Sequence, residues 1–211
     1  MADWVTISAL ATAGGTLVLA LATFASVRSG NRVARLAERS LLAGLRPLLM
    51  PSKLDDAMQK VNFADRHFMQ VPGGSGVAEA TDDAVYLVLS LRNVGSGIAV
   101  LHGWGFLSEW VTGASVDHTE LGSFRRLTRD LYVPAGDIGF WQGAFRDPAA
   151  PEFLAAAAAI KERKPLMVDL LYGDYEGGQR TISRFALQPR TDGGWFASVS
   201  RHWNIDRADP R

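Results

Sequence analysis

Hydrophobic and polar positions follow two different rhythms along this chain, and the change falls near residue 47. From Trp4 to Val27 there are twenty-four consecutive residues without a charge, nine of them Val, Ile, Leu or Phe. At 1.5 Å per residue such a helix reaches roughly 36 Å, enough to cross a hydrocarbon core of about 30 Å. From Asn31 to Leu45 the apolar positions are Val33, Leu36, Ala37, Leu41 and Leu45, and Arg28, Arg32, Arg35 and Arg39 form a second stripe. These three- and four-residue steps predict a basic amphipathic helix. Ser29-Gly30 is the expected kink between the two segments. Arg46-Pro47 ends the second, because the residue before proline is driven out of the α region.

Beyond residue 47 the period falls to two. Leu48–Met50 lies between two prolines and suits a short edge strand. In AVYLVLSLRN (84–93), Val85, Leu87, Leu89 and Leu91 alternate with Tyr86, Val88, Ser90 and Arg92, as on a half-buried antiparallel strand. Asn93 to Gly97 turns the chain into a return strand that can carry a bulge at Gly103 or Gly105 and would place His102, Trp104 and Phe106 on one face. Two short strands are expected within 130–145, then one helix over 148–164 with proline confined to its first turn. Strands at 166–174, 179–189 and 195–205 follow, joined by Gly-rich turns. In the last, Trp195, Ala197, Val199 and Trp203 fall on one face, and Phe196, Ser198, Ser200 and His202 on the other. The stretch 71–83 has the composition of a mobile loop. It lacks the lysine and the strand-then-helix frame of a phosphate cradle.

The fold class expected is therefore mainly β: a transmembrane anchor over 1–28, a basic juxtamembrane helix over 29–46, and an antiparallel β-sandwich of seven or eight strands with one inserted α-helix over 47–205. A frayed tail over 206–211 completes the chain.

Charge adds sidedness. The chain holds 22 basic and 22 acidic residues, so no overall field recruits nucleic acid. The four arginines behind the apolar span, with nothing basic before it except the terminus, place the C-terminal side in the cytoplasm and the short N-terminus outside. A cleaved signal peptide would need a positively charged leader, and the segment offers only the α-amino group beside Asp3. Trp4 suits the membrane interface, and Arg28, Arg32, Arg35 and Arg39 either meet anionic head groups or simply enforce topology. Small residues at Ala9/Ala13 and Ala11/Gly15 permit close helix approach and hence a homo-oligomer. Cysteine is absent, which removes disulfides, thiol catalysis and thiolate metal sites.

Candidate chemistry is sparse. The histidines fall at 67, 102, 118 and 202, without the spacing of a metal site. Asp174 and Glu176 sit in a hairpin turn, where acids usually serve the turn itself. Neither a nucleophile elbow nor a Walker-type loop occurs. No catalytic, cofactor-binding or metal residue is assigned, and no cofactor is expected. Trp104, Trp110, Trp141, Trp195 and Trp203 suit a sandwich core or a stacking platform. His102, Trp104 and His202 are the candidates for lining a pocket, on the condition that their strands pair.

The combination of an uncharged span, an Arg-rich helix running into LRPLL (45–49), and a strand closed by NVGSGIA (93–99) resembles a broad class of bacterial membrane-anchored proteins. The resemblance implies the architecture and no particular activity. Two functions follow as expectations. One is a single-pass inner-membrane protein presenting a cytosolic β-sandwich to a protein partner. The other is a membrane-tethered hydrolase or small-ligand sensor with its pocket near His102, Trp104 and His202.

Overall fold

The computed structural model describes residues 3–108 and 117–207, except for the side chains of Val5, Thr6, Arg39, Ala43, Thr128 and Asp130. It divides into two compact units, residues 1–43 and 44–211.

The first unit is one helix, α1, Trp4–Gly44. It runs without a break through Ser29-Gly30, where a kink was expected; both residues are tolerated because i→i−4 bonding continues on either side. The small polar residues of the apolar half satisfy themselves within the helix. Thr12 Oγ1 donates to the Ser8 carbonyl at 2.9 Å, Thr16 to Thr12 at 2.9 Å and Thr23 to Leu19 at 2.8 Å, leaving a surface that costs little in hydrocarbon. Leu10, Leu17, Leu21 and Phe24 are all exposed. The segment Ile7–Leu42 is long and apolar enough to cross a membrane by length and composition, and its most apolar window is wholly unburied within the chain, unlike the core helix of a soluble domain.

The second unit is built of antiparallel strands: β1 Leu49–Pro51, β2 Gln59–Asn62, β3 Phe68–Val71, β4 Ser75–Ala80, β5 Val85–Asn93 and β6 Ala99–Leu107. There follow β7 Arg125–Val133, β8 Ile138–Phe145, a helix α2 Pro151–Lys161, β9 Leu166–Gly173, β10 Arg180–Pro189 and β11 Trp195–Asn204. One sheet runs β1-β5-β4-β11-β10-β9-β6-β7, with β8 on the other edge of β5, and β2-β3 forms a separate hairpin. The main sheet folds over itself as a sandwich. Trp104 of β6 meets Trp141 and Phe145 of β8 edge-on, at 5.2 and 5.1 Å between ring centroids, inside one apolar core. Phe153 and Ala156 of α2 enter the same core.

Three sequence expectations change. The stretch 71–83 is not a loop throughout. β4 pairs with β5 from Gly76↔Leu89 to Ala80↔Val85 and touches β11 at Trp195↔Gly76. A side chain at 76 would strike the Leu187 side chain and the Val88 carbonyl, so this glycine serves close strand packing rather than a mobile turn. Strand β5 is buried on both faces, not one, because Val61, Phe63, Met69 and Val71 of the β2–β3 segment cover Tyr86 and Val88 in a second small core. The tail is tied down at its start, where Asp206 accepts the Arg180 backbone N–H and guanidinium, both at 2.7 Å; residues 208–211 lie outside the described residues.

Two bulges reassign faces. His102 is the extra residue between Leu101↔Tyr172 and Gly103↔Leu171, so Leu101 and Trp104 both point into the core while His102 is exposed. Ser200 is the extra residue between Phe185↔Val199 and Arg184↔Arg201. Trp195, Ala197 and Val199 therefore face the core, and Trp203 crosses to the opposite face beneath the Arg184 and Arg201 guanidinium groups, 4.9 and 5.1 Å from its ring.

A candidate anion-binding cleft at the open seam of the sandwich

The residues proposed from sequence do not assemble. His102 stands on the outer face and lines, with Arg126 and Arg180, a pocket of about 460 Å³, whereas Trp104 is core. His202 lies on β11, three strand intervals from β6 in the order β6-β9-β10-β11, or roughly 14 Å away at the usual spacing. Its Nδ1 contacts Ser183 Oγ at 2.6 Å, and Ser183 in turn contacts the Tyr172 hydroxyl at 2.8 Å. Ser183 is fully buried, so the pair is a structural link and not an accessible nucleophile. Burial also drives the Tyr172 phenol above its ordinary pKa, keeping it neutral. Trp4, Arg28, Arg32 and Arg35 are exposed along α1; Trp110 and the Arg39 side chain lie outside the described residues.

A different site emerges where the sheet fails to close. β7 and β8 are consecutive strands joined by Pro134–Asp137, yet they do not pair: β7 bonds to β6 and β8 to β5. The connecting turn is pinned in place, with Gly136 N donating to the Asn93 carbonyl at 2.8 Å and Asn93 N to the Asp137 carbonyl at 3.0 Å. Gly136 takes φ +75°, which a side-chain-bearing residue adopts only with strain. From this turn the two arms go to opposite ends of the pairing order. A cleft of about 190 Å³ opens between them, with Trp104 on its wall.

Its rim is cationic: Arg125, Arg126 and Arg129 from β7 face Gln142, Gly143 and Arg146 from the β8 side. Arg125 is positioned by Glu152 at 3.0 Å and by the ring of Phe145, 5.0 Å from its guanidinium carbon. Glu152's own backbone N–H, at the start of α2, and then Arg125 hold its carboxyl below the usual range. Arg146 reaches Asp65 at 3.1 Å, and Asp65 also accepts the Tyr86 hydroxyl at 2.9 Å. Burial raises the Asp65 pKa, but the bonds from Tyr86, the His67 backbone and Arg146 outweigh it and leave the group depressed. Among the described residues no carboxylate pairs with Arg126 or Arg129. Nor does any donor reach the buried Oε1 of Gln142.

The described lining side chains offer guanidinium groups, an amide and aromatic surface, but no carboxylate, imidazole or hydroxyl. Such a set suits an anion, and none of these described side chains is a usual general acid, base or nucleophile. The signal was present in the sequence as three arginines within five residues, Arg125 to Arg129. Their convergence with Arg146 was not, because it depends on β7 pairing with β6 while β8 pairs with β5.

Compared with known proteins, the chain matches no family model, no curated protein and no solved structure. What fold and site define together is a class: a β-sandwich carrying a basic cleft, behind one long apolar helix compatible with a membrane anchor.

Proposed function

We propose that this chain is a single-pass protein of the bacterial inner membrane. Residues 1–28 cross it with the N-terminus outside, residues 29–46 form a basic stalk, and the cytosolic β-sandwich of 47–205 binds an acidic protein partner at the membrane face. The observation that carries the binding role is the arginine-rimmed cleft between β7 and β8, in which Arg126 and Arg129 meet no carboxylate among the described residues. The orientation rests on Arg28, Arg32, Arg35 and Arg39 following the uncharged span. Binding in place of catalysis fits a cleft whose described lining side chains include no acid–base group.

The test is comparative capture with the full chain in mild detergent. Partners recovered by the wild-type chain should be lost from the R126E/R129E variant and should fall away as salt is raised, since exposed cations lose reach once the Debye length shrinks below about 8 Å. Recovery of the same partners by that variant would overturn the reading.

A further inference from the structure

We infer that the occupant of the cleft is an acidic segment in extended conformation, which adds as a strand along the seam between β7 and β8. This rests on the reading of the cleft as an anion site and goes further, because it makes the peptide backbone part of what is recognised.

The lining itself shows that the cleft is bounded by strand edges. Successive residues of a strand point to opposite faces, so a site on a sheet face would draw on alternate positions. This cleft instead draws on consecutive ones, Gln142-Gly143-Ala144 of β8 and Arg125-Arg126-Leu127 of β7, the latter where residues 127–130 leave their pairing with β6. Along those edges β7 and β8 pair with no strand among the described residues. Unpaired edges recruit extended segments through main-chain hydrogen bonds.

The two arms stand at opposite ends of the pairing order, β7 beside β6 and β8 beside β5, so each leaves one edge open to an added segment. The arms run antiparallel to each other, so the segment would pair parallel with one and antiparallel with the other.

Gln142 adds an acceptor to the cationic rim. Its buried Oε1 is an acceptor without a donor among the described residues, set among guanidinium groups. A fully ionised phosphate offers the arginines only acceptors, whereas a peptide can bring backbone N–H groups to this oxygen while its carboxylates meet the arginines. Size points the same way. Pockets that enclose nucleotide- or drug-sized ligands run to about 300–1,000 Å³, and this one is about 190 Å³. An extended segment needs no more enclosure, since its outer face stays in solvent while alternate acidic residues meet the rim.

The probe is a fluorescent ten-residue peptide alternating Glu with Val or Thr, titrated by anisotropy into the full chain in neutral detergent micelles. The wild-type chain should bind it. N-methylation at every second residue, which blocks hydrogen bonding along one edge, should weaken binding by about tenfold or more, and the R126E/R129E variant should not bind. Inorganic phosphate, or micelles doped with phosphatidylglycerol at equal charge, should fail to displace the peptide. Equal binding of the methylated peptide, displacement by the lipid, or no binding by the wild-type chain overturns the strand-addition proposal. If the variant loses binding while methylation changes nothing, the anion site survives and the inserted strand does not. If the variant binds like wild type, both fall.

Discussion

The Arg184 guanidinium meets the Asp169 carboxylate side-on, Nε to Oδ1 at 2.7 Å and Nη2 to Oδ2 at 2.8 Å, across adjacent strands and almost entirely out of water. The pair also holds the segment that crosses above it. Thr119 donates both its N–H and its hydroxyl to Asp169 Oδ2 at 2.9 Å, and Arg184 donates to the Asp117 carbonyl at 3.0 Å. Breaking such a pair strands the remaining charge, at a cost of about 3–5 kcal/mol. Asp169→Ala should therefore lower Tm by at least about 6 °C in a domain of this size and raise hydrogen exchange around residue 119. The paired D169L/R184M variant should lose much less, because no buried charge is left alone. Equal losses in the two, measured by calorimetry, would show that the charge pairing matters little.

The motif that ends β5 is explained by one side chain. Asn93 is fully buried: its Oδ1 accepts from Leu48 N at 3.1 Å and Gly95 N at 3.0 Å, and its Nδ2 donates to the carbonyls of Gly97 at 2.6 Å and Val133 at 3.0 Å. A Cβ at Gly97 would lie 1.7 Å from the Leu45 carbonyl oxygen. Buried groups left without partners cost about 1–3 kcal/mol each, so Asn93→Ala should destabilise by at least about 3 kcal/mol. Gly97→Ala should also be destabilising, since backbone must move. Denaturant melts of the full chain in detergent, followed by tryptophan fluorescence, check both.

Acid should weaken the cleft rim. Asp65 has a folded pKa below its ordinary 3.8, so the unfolded chain binds the proton more readily and stability rises with pH through this region. Its contribution is fully present above about pH 4 and is lost as pH falls through the lower folded value. Asp65→Asn should flatten the stability profile below pH 4, and a profile unchanged from wild type would remove Asp65 from the account.

Orientation is open to direct labelling, because the chain contains no cysteine. Asp117 is exposed, so Asp117→Cys should resist an impermeant maleimide in intact cells and react after permeabilisation. Reaction in intact cells would place the domain outside.

Local pattern alone determined the apolar helix, the period-two strands and the hairpins at 174–179 and 190–194, because these depend on side-chain spacing and turn chemistry within a few residues. It also determined that Asn93 to Gly97 is a turn, though not that the turn receives the Leu45–Leu48 backbone. Tertiary structure decided what depends on strand order. Gly76 and its neighbours are poor strand formers that become a strand only between β5 and β11. One extra residue at His102 and another at Ser200 reverse the faces that simple alternation assigns, which separates His102 from Trp104 and sends Trp203 away from Trp195. The cleft belongs wholly to this second category. Arg125, Arg126 and Arg129 read as a polar stretch until β7 stays with β6 while β8 crosses to β5, since charge can converge only where strands far apart in pairing are close in space.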